Sequence, residues 1–364
     1  MSAGDTPLPS GFKIDHYIIR SVLGRGGFGY TYLAEDPNRA TLVAIKEHFP
    51  QQLAKRLPNG ALTPLDQKRY ELFEQTLHNF RQEIRLLLRF PHPNLPYIHR
   101  VFDGLGTGYF SMDLEQGETL EKWSRSIARS RLESELLLIT HQISDALALL
   151  HRNGIFHRDI KPDNIIVRHD GTPVLLDFGI ATDSMAAAQA LPGQAKFVSV
   201  GYSPIEQYGY GEAGAWSDIY SLSATLYKIV AGRRVVAADV RAKSYWKGGR
   251  DLLPKLASQL PSGFSSRLVE AIDHGLEIDL AKRPQNILAW LALLPSRPVS
   301  MPAAPAKNRR ASFLPKWSFA QMFQRGNKPL LHWPLLSGNQ IFWLVIGGFV
   351  AIFLATLVMA ILTL

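Results

Sequence analysis

"IFHRDIKPDNIIV", residues 155–167, sets five ionisable side chains and an asparagine between two apolar runs. A surface loop can be this polar, but it is rarely entered from and left into such hydrophobic segments. Burying unpaired charge costs several kcal/mol, so the cluster needs partners: an ion-pair network, a metal, or a charged ligand. Downstream, "PVLLDFG" ends a second apolar run on Asp177, and Gly179 permits a sharp turn there.

On either side the chain divides by pattern. "HYIIRSVLG", "YTYLAED" and "TLVAIKEHF" are rich in β-branched and aromatic residues and read as strands separated by turns. Residues 70–90 turn helical, with Leu72, Phe73, Leu77, Phe80, Ile84, Leu87 and Leu88 at three- and four-residue spacings. Short strands are expected near 95–102 and 109–114, then helices over 120–130 and along "ESELLLITHQISDALALLHRNG", closed by an Asn-Gly stop. Residues 217–294 are again mostly helical. The pattern predicts an α+β fold with a small β-rich lobe before a larger helical one.

The glycine run "LGRGGFGYTYLAED" holds Gly24, Gly26 and Gly29 in a G-x-G-x-x-G spacing. Alone, such spacing can mark a simple turn. A dinucleotide fingerprint must lead from strand into helix, whereas Tyr30, Thr31, Tyr32 and Leu33 favour a strand. A strand–turn–strand flap can direct backbone N–H groups at phosphates, where a β-carbon would block the approach. Ten residues after the hairpin, "VAIK" sets Lys46 in an apolar strand. There it either snorkels to solvent or pairs with an anion. Glu83, in "FRQEIRLLL", is the expected partner, and the pair could orient the ammonium toward phosphates.

With that flap, the opening cluster finds its partners. Asp159 and Asn164 on one loop, facing Asp177 at a strand end, supply oxygen ligands suited to Mg²⁺. Asp159 is left as a group able to accept a hydroxyl proton, and Lys161 adds positive charge where a transferring phosphoryl group needs it. Mg-ATP and a substrate alcohol account for the charges.

The ordered set G-x-G-x-x-G, V-A-I-K, a helix Glu, H-R-D-x-K-x-x-N and D-F-G resembles the eukaryotic-type (Hanks-type) serine/threonine protein kinases. The likeness covers residues 17–294 and implies a bilobal protein-kinase-like fold with ATP in the cleft. It implies an N-lobe over 17–112, a hinge over 113–117 and a C-lobe over 118–294, after an N-terminal tail of residues 1–16. It further implies that Asp159 is the catalytic base, with Lys161 beside it, and that Lys46 contacts phosphates and pairs with Glu83. Asn164 and Asp177 then hold Mg²⁺. The nucleotide is expected against Leu23, Gly24, Gly26, Gly27, Phe28, Gly29, Thr31, Ala44 and Ile166. Met112 takes the gatekeeper position, the backbone of Asp113 and Glu115 the adenine edge, and Glu118 the ribose. Lys161 in "DIKPDN" resembles the serine/threonine class. Glu206 of "GYSPIEQ" is expected to pair with Arg283, and Asp218 to anchor the catalytic loop. Thr31, Ser199, Ile205 and Ser223 stand where the family usually has Val, Thr, Pro and Gly. None of these removes a group the chemistry needs. "VAIKEHFP", the insert over 51–78 and an apolar C-terminus resemble the bacterial membrane-anchored branch.

That terminus, residues 341–364, runs 24 residues without a charge, about 36 Å as a helix and enough to cross a hydrocarbon core of about 30 Å. Residues 295–340 form a Pro-containing linker with seven basic and no acidic residues, leaving the rest of the chain at +2 of the total +9. Basic residues beside a span favour the cytoplasmic side and attract anionic lipid. They are not organised for nucleic acid. The expectation is a single-pass inner-membrane protein with its kinase domain in the cytoplasm, no cleavable signal peptide and no sensor domain beyond the bilayer. Its partners are then the lipid bilayer, Ser/Thr protein substrates including itself, and a second copy approaching at Gly347-Gly348. There are no cysteines, which excludes disulfides and thiolate chemistry. The contrasting reading is a pseudokinase scaffold that binds nucleotide or partners without phosphotransfer.

Overall fold

The computed structural model describes residues 5–26, 29–178 and 198–298. The linker from 299 onward, the span expected at 341–364, and Gly27 and Phe28 lie outside them. Among the described residues no helix is long and apolar enough to cross a membrane.

The first lobe is an antiparallel sheet of six strands in the order β1-β2-β3-β4-β8-β7. These are β1 (Lys13–Ile14), β2 (Tyr17–Gly26), β3 (Gly29–Asp36), β4 (Thr41–Glu47), β7 (Ile98–Gly104) and β8 (Thr107–Asp113). In β3 the buried residues Tyr30, Tyr32, Ala34 and Asp36 alternate with half-buried ones, the period of a strand with one face on the core. A separate hairpin, β5 (Ala54–Arg56) with β6 (Leu62–Pro64), fills the insert. Leu62 N–H donates to the Leu105 carbonyl at 2.7 Å, joining that hairpin to the β7–β8 turn. Helix α1 (Gln67–Arg89) starts on Asp66, whose side chain accepts from Arg69 N–H, and buries Phe73, Leu77, Phe80, Ile84 and Leu87.

The segment expected to be a tail is built into this lobe from Asp5 onward. Leu8 is buried and its N–H donates to Tyr32 Oη at 3.1 Å. Arg56 Nε donates to the Thr6 carbonyl at 2.7 Å, Tyr30 Oη donates to Asp5, and β1 pairs with β2. Residues 5–14, expected as a tail, are therefore packed onto this lobe.

The second lobe packs helices around α3 (Arg129–His151) and α4 (Ala215–Ala231). Helix α4 is buried on nearly every side, including its polar residues Ser217, Asp218, Ser221, Ser223 and Thr225, and stops at Gly232 with φ +71°. Around it lie α5 (Ala238–Trp246), α6 (Ser266–Gly275) and α7 (Ile287–Leu291). The helix expected over 120–130 is broken: α2 (Leu120–Ser126) ends at Ile127, whose extended backbone leads into α3. A small sheet, β9 (Gly117–Thr119), β10 (Ile165–Arg168) and β11 (Pro173–Leu175), stands between the lobes' chain segments and carries the polar cluster at one end. Ser223, standing for a glycine, is accommodated by Gly275 across the α4–α6 contact: a β-carbon on Gly275 would lie 1.9 Å from Ser223 Oγ.

Candidate active site

The catalytic-loop segment after α3 is held from below by one carboxylate. Asp218, fully buried on α4, accepts from His151 Nε2, His157 N–H and Arg158 N–H, each at 2.8 Å. Burial works against its charge, but the hydrogen bonds from His151 and its neighbours outweigh burial and hold the carboxyl below its ordinary range. Arg158 has φ +65°, a left-handed conformation that costs a non-glycine residue about 1–2 kcal/mol. Asp218 and Gln207, whose Nε2 donates to the Arg158 carbonyl at 2.7 Å, hold it there. Gln207 was not foreseen, because nothing marks a glutamine in "IEQY" for a contact 49 residues away.

His157 is buried, and burial pushes its pKa down, so the ring is neutral. Its Nε2 lies 3.0 Å from the Leu176 carbonyl and its Nδ1 accepts from Asp159 N–H at 3.3 Å. The proton therefore sits on Nε2, and the histidine ties the loop to the strand end bearing Asp177.

Above this base the predicted polar residues converge. Asp159 Oδ2 accepts from Lys161 Nζ at 2.6 Å and from Asn164 Nδ2 at 2.9 Å. Asp159 Oδ1 accepts from Ser199 Oγ at 2.6 Å, and Lys161 Nζ lies 3.2 Å from the same hydroxyl. Ile165 pairs with Leu175 in the β10–β11 register, and Leu176 N–H donates to the Asn164 carbonyl at 2.7 Å. Asn164 and Asp177 therefore emerge together at one end of that hairpin.

Asp177, with φ +56°, receives Lys46 Nζ at 3.0 Å. The Lys46 ammonium, which outweighs burial, holds the Asp177 carboxyl below the ordinary carboxylate range. Lys46 was expected on Glu83; the ion pair described here joins it to Asp177. Glu83 is half-buried on α1, between Phe80 and Leu87 at the spacings of one helix face.

These residues fit Mg²⁺. Asn164 spends its Nδ2 on two bonds to Asp159, so its amide oxygen is the atom it would offer as a neutral ligand. Asp177 is ionised, and only its Oδ1 is engaged by Lys46. A carboxylate and an amide oxygen are the hard donors this ion takes, with phosphate and water completing its shell.

The roof of the cleft is the β2–β3 hairpin. Gly24 pairs with Thr31, and Gly26 with Gly29. Around Gly24 and Gly26 nothing lies within 4 Å of an added β-carbon, whereas at Gly29, φ +149°, it would fall 1.8 Å from the Glu47 carbonyl. The last glycine is thus required by packing, and the first two leave space. Leu23 is exposed, and Thr31 faces Lys46 across the ladder. Ala44 and Met112 are buried and directly paired between β4 and β8, beneath the hinge. Ile166 is half-buried on β10, opposite Thr119.

At the hinge the side chains point elsewhere. Asp113 takes His99 Nε2 at 2.9 Å, and Glu115 holds Arg168 in a two-pronged fork at 2.6 and 2.7 Å. What these residues can offer a ligand is backbone. Gly117 lets β9 approach β10, since a β-carbon there would meet the Val167 carbonyl at 2.2 Å. Glu118 beside it is exposed.

Behind Lys46 lies a buried network that sequence reading missed. Glu47 is fully buried, with Arg56 at 2.6 and 3.1 Å, Tyr32 Oη at 2.8 Å and Tyr109 Oη at 2.6 Å. Four donors satisfy both carboxylate oxygens, and the guanidinium also covers the Phe49 ring at 4.9 Å. His48, also buried, lies 3.1 Å from Thr76 Oγ1 on α1 and 3.2 Å from Thr107 Oγ1 on β8. Burial pushes its pKa down to about 3.

Beyond the site, the expected Glu206–Arg283 pair is present at 2.7 Å with both side chains fully buried. Ser217 Oγ donates to the same Glu206 oxygen at 2.8 Å. This pair fixes the turn that carries Gln207 under the catalytic loop.

Residues 17–290 match the protein kinase domain family. The chain is 33% identical over 218 residues to serine/threonine-protein kinase PrkC of Bacillus subtilis (strain 168), covering 60% of this chain and 30% of PrkC. It is 27% identical over 273 residues to serine/threonine-protein kinase PknA of Mycobacterium tuberculosis (strain ATCC 25618 / H37Rv), covering 74% of this chain and 57% of PknA. It thus spans less than two thirds of these curated relatives. Among solved structures, the apo form of PpkA-294 is similar at a TM-score of 0.67 and 32% identity, covering 80% of this chain and 100% of that one. With the Asp218-anchored loop, the Asp159–Lys161–Asn164 cluster and the open glycine hairpin assembled on two lobes, this chain belongs to the protein kinase family.

Proposed function

We propose that the chain is an active serine/threonine protein kinase, transferring the γ-phosphoryl group of ATP to hydroxyls of cytoplasmic proteins and of itself. The observation that carries this reading is the Asp159 carboxylate, which already accepts a hydrogen bond from an alcohol, Ser199 Oγ, at 2.6 Å. A carboxylate so placed can orient an incoming hydroxyl and take its proton as the new P–O bond forms. Lys161, which bridges Asp159 and Ser199, puts its ammonium where charge grows on the transferring group.

Family kinases use ATP with Mg²⁺. When bound, Mg²⁺ neutralises phosphate charge, and here Asn164 and Asp177 would hold it. In this reading Lys46 steadies the phosphates and draws support from Glu83. Leu23, Gly24, Gly26, Gly27, Phe28, Gly29 and Thr31 cover the nucleotide. Ala44 and Ile166 enclose the base, Met112 closes the back of its pocket, and Asp113 and Glu115 meet its edge through backbone. Glu118 reaches toward the ribose. Glu47 and Arg56 touch no substrate; they stiffen the strand from which Lys46 projects.

The reading extends to a membrane anchor at 341–364 with the kinase domain on the cytoplasmic side. It is supported by 24 uncharged residues preceded by seven basic ones. Incubation with labelled ATP, Mg²⁺ and a mixed protein substrate, against an Asp159→Asn control, tests the activity. Membrane fractionation of the full chain and of a chain ending at residue 340 tests the anchor: recovery of the full chain in the soluble fraction contradicts it.

A further inference from the structure

Residues 199–203 form a tight turn beside the base. Tyr202 N–H donates to the Ser199 carbonyl at 2.8 Å, Ser203 N–H to the same oxygen at 2.9 Å, and Ser199 N–H to Ser203 Oγ at 3.0 Å. In such a turn the first and fourth α-carbons lie within about 7 Å. Ser199 Oγ marks where an alcohol meets Asp159, so everything on this turn lies close to an incoming hydroxyl. Val200, 60% exposed, stands open at its crest.

Arg234, from the loop between α4 and α5, lies against the turn at two points. Its Cβ and Cδ are the side-chain atoms a β-carbon on Gly201 would meet, at 3.4 and 3.9 Å, and its guanidinium covers the Tyr202 ring at 5.7 Å. Arg234 and its neighbour Arg233 are exposed, and their side chains are engaged by the hydroxyls of Tyr202 and Tyr227. The nearby carboxylates do not balance them. Glu121, which acts electrostatically on Tyr202, is already paired with Arg125 at 2.5 Å and Lys228 at 3.6 Å. Asp163 adds one exposed negative charge. The ground beside the acceptor position is therefore positive.

We propose that Arg234, with Arg233 beside it, selects polypeptide substrates bearing an aspartate or glutamate within three residues of the phosphorylated hydroxyl. The turn that brings Ser199 Oγ to Asp159 also carries Gly201 and Tyr202, which Arg234 touches, so an acidic side chain a few residues from the hydroxyl comes within its reach. The inference rests on the kinase reading above and deepens it by naming a substrate class. A guanidinium held on an aromatic face has lost part of its freedom before a carboxylate arrives, so the pair orders only one side chain.

The test uses the full chain in detergent micelles and peptides with one serine among alanines, with a single Asp or Arg placed at each position within three residues. Aspartate is expected to raise kcat/KM about fivefold over alanine at one such position, the size of an exposed charge pair, and arginine to lower it there. Arg234→Gln abolishes the difference and Arg234→Glu reverses it, with thermal unfolding confirming that each variant is folded. Should one variant fail to fold, the other still decides. Equal rates for Asp and Arg peptides, or an unchanged ratio in a folded variant, overturn the selection while leaving the kinase reading intact. Turnover of no peptide at all overturns both.

Discussion

Replacing Asp218 with asparagine changes one oxygen into an amide nitrogen at nearly constant volume, and it removes the anchor of the catalytic loop. The carboxylate serves three N–H groups: Arg158 on Oδ1, His157 and His151 on Oδ2. An asparagine can keep its oxygen toward the histidine pair only by turning its NH₂ against Arg158 N–H. One bond to a charged acceptor is then lost, worth about 1.5–3 kcal/mol, and the other two weaken toward neutral strength. The orphaned group is the N–H of the residue at φ +65°, which then relaxes, and Asp159 moves with it. The expected loss of stability is about 2–4 kcal/mol, measured by urea unfolding. Turnover should fall about 100-fold, the scale for a displacement near 1 Å. Adding Arg158→Gly removes the left-handed strain and should recover about 1 kcal/mol. An Asp218→Asn variant that unfolds at the wild-type urea concentration and phosphorylates at the wild-type rate would refute this anchoring role.

The glycines of the hairpin should separate by role. Gly24→Ala and Gly26→Ala, with open space around the new carbon, are expected to keep stability within about 0.5 kcal/mol and raise KM for ATP. Gly29→Ala drives its methyl into the Glu47 carbonyl and should cost about 1–3 kcal/mol in thermal unfolding; the opposite ranking contradicts this assignment. Arg283→Met leaves Glu206 buried and unpaired, with an expected cost of about 3–5 kcal/mol, and a variant as stable as wild type would refute it. His48 is neutral in the fold, with a pKa of about 3 against 6.5 when free. The unfolded chain therefore binds the extra proton, and stability should fall as pH drops below 6.5, by up to about 1.4 kcal/mol per unit from this group. Buried His157 adds in the same direction. Urea midpoints between pH 7 and 5 should show a shallower slope for His48→Gln; equal slopes would contradict the assignment.

Lys46, Asp159, Lys161, Asn164 and Asp177 are legible in sequence because each breaks an apolar run where only a charged partner makes burial tolerable. Asp218, Glu206 and Arg283 become legible through the family likeness, and their contacts are the expected ones. What stays hidden is pairing across distance. Arg56 looks like one more charge in a polar insert, yet folding brings it onto Glu47 beside two tyrosines from other strands. Residues 5–16 look like a tail because "TPLPSGFKID" has no strand period; their value lies in single backbone bonds to Tyr32 and Arg56. The choice of Lys46 between Glu83 and Asp177 is equally invisible, since either carboxylate satisfies an ammonium. Arg234 is the same kind of omission: its meaning comes from Gly201 and Tyr202, which pattern alone does not bring near it.

The most direct measurement is magnesium-dependent phosphotransfer from labelled ATP to protein serine and threonine by the purified full chain, run beside Asp159→Asn. Incorporation that requires Mg²⁺, appears on hydroxyl residues and drops at least about 100-fold in the variant is the predicted result. No incorporation by folded wild-type protein, or equal incorporation by the two proteins, would contradict a catalytic role for the Asp159 cluster.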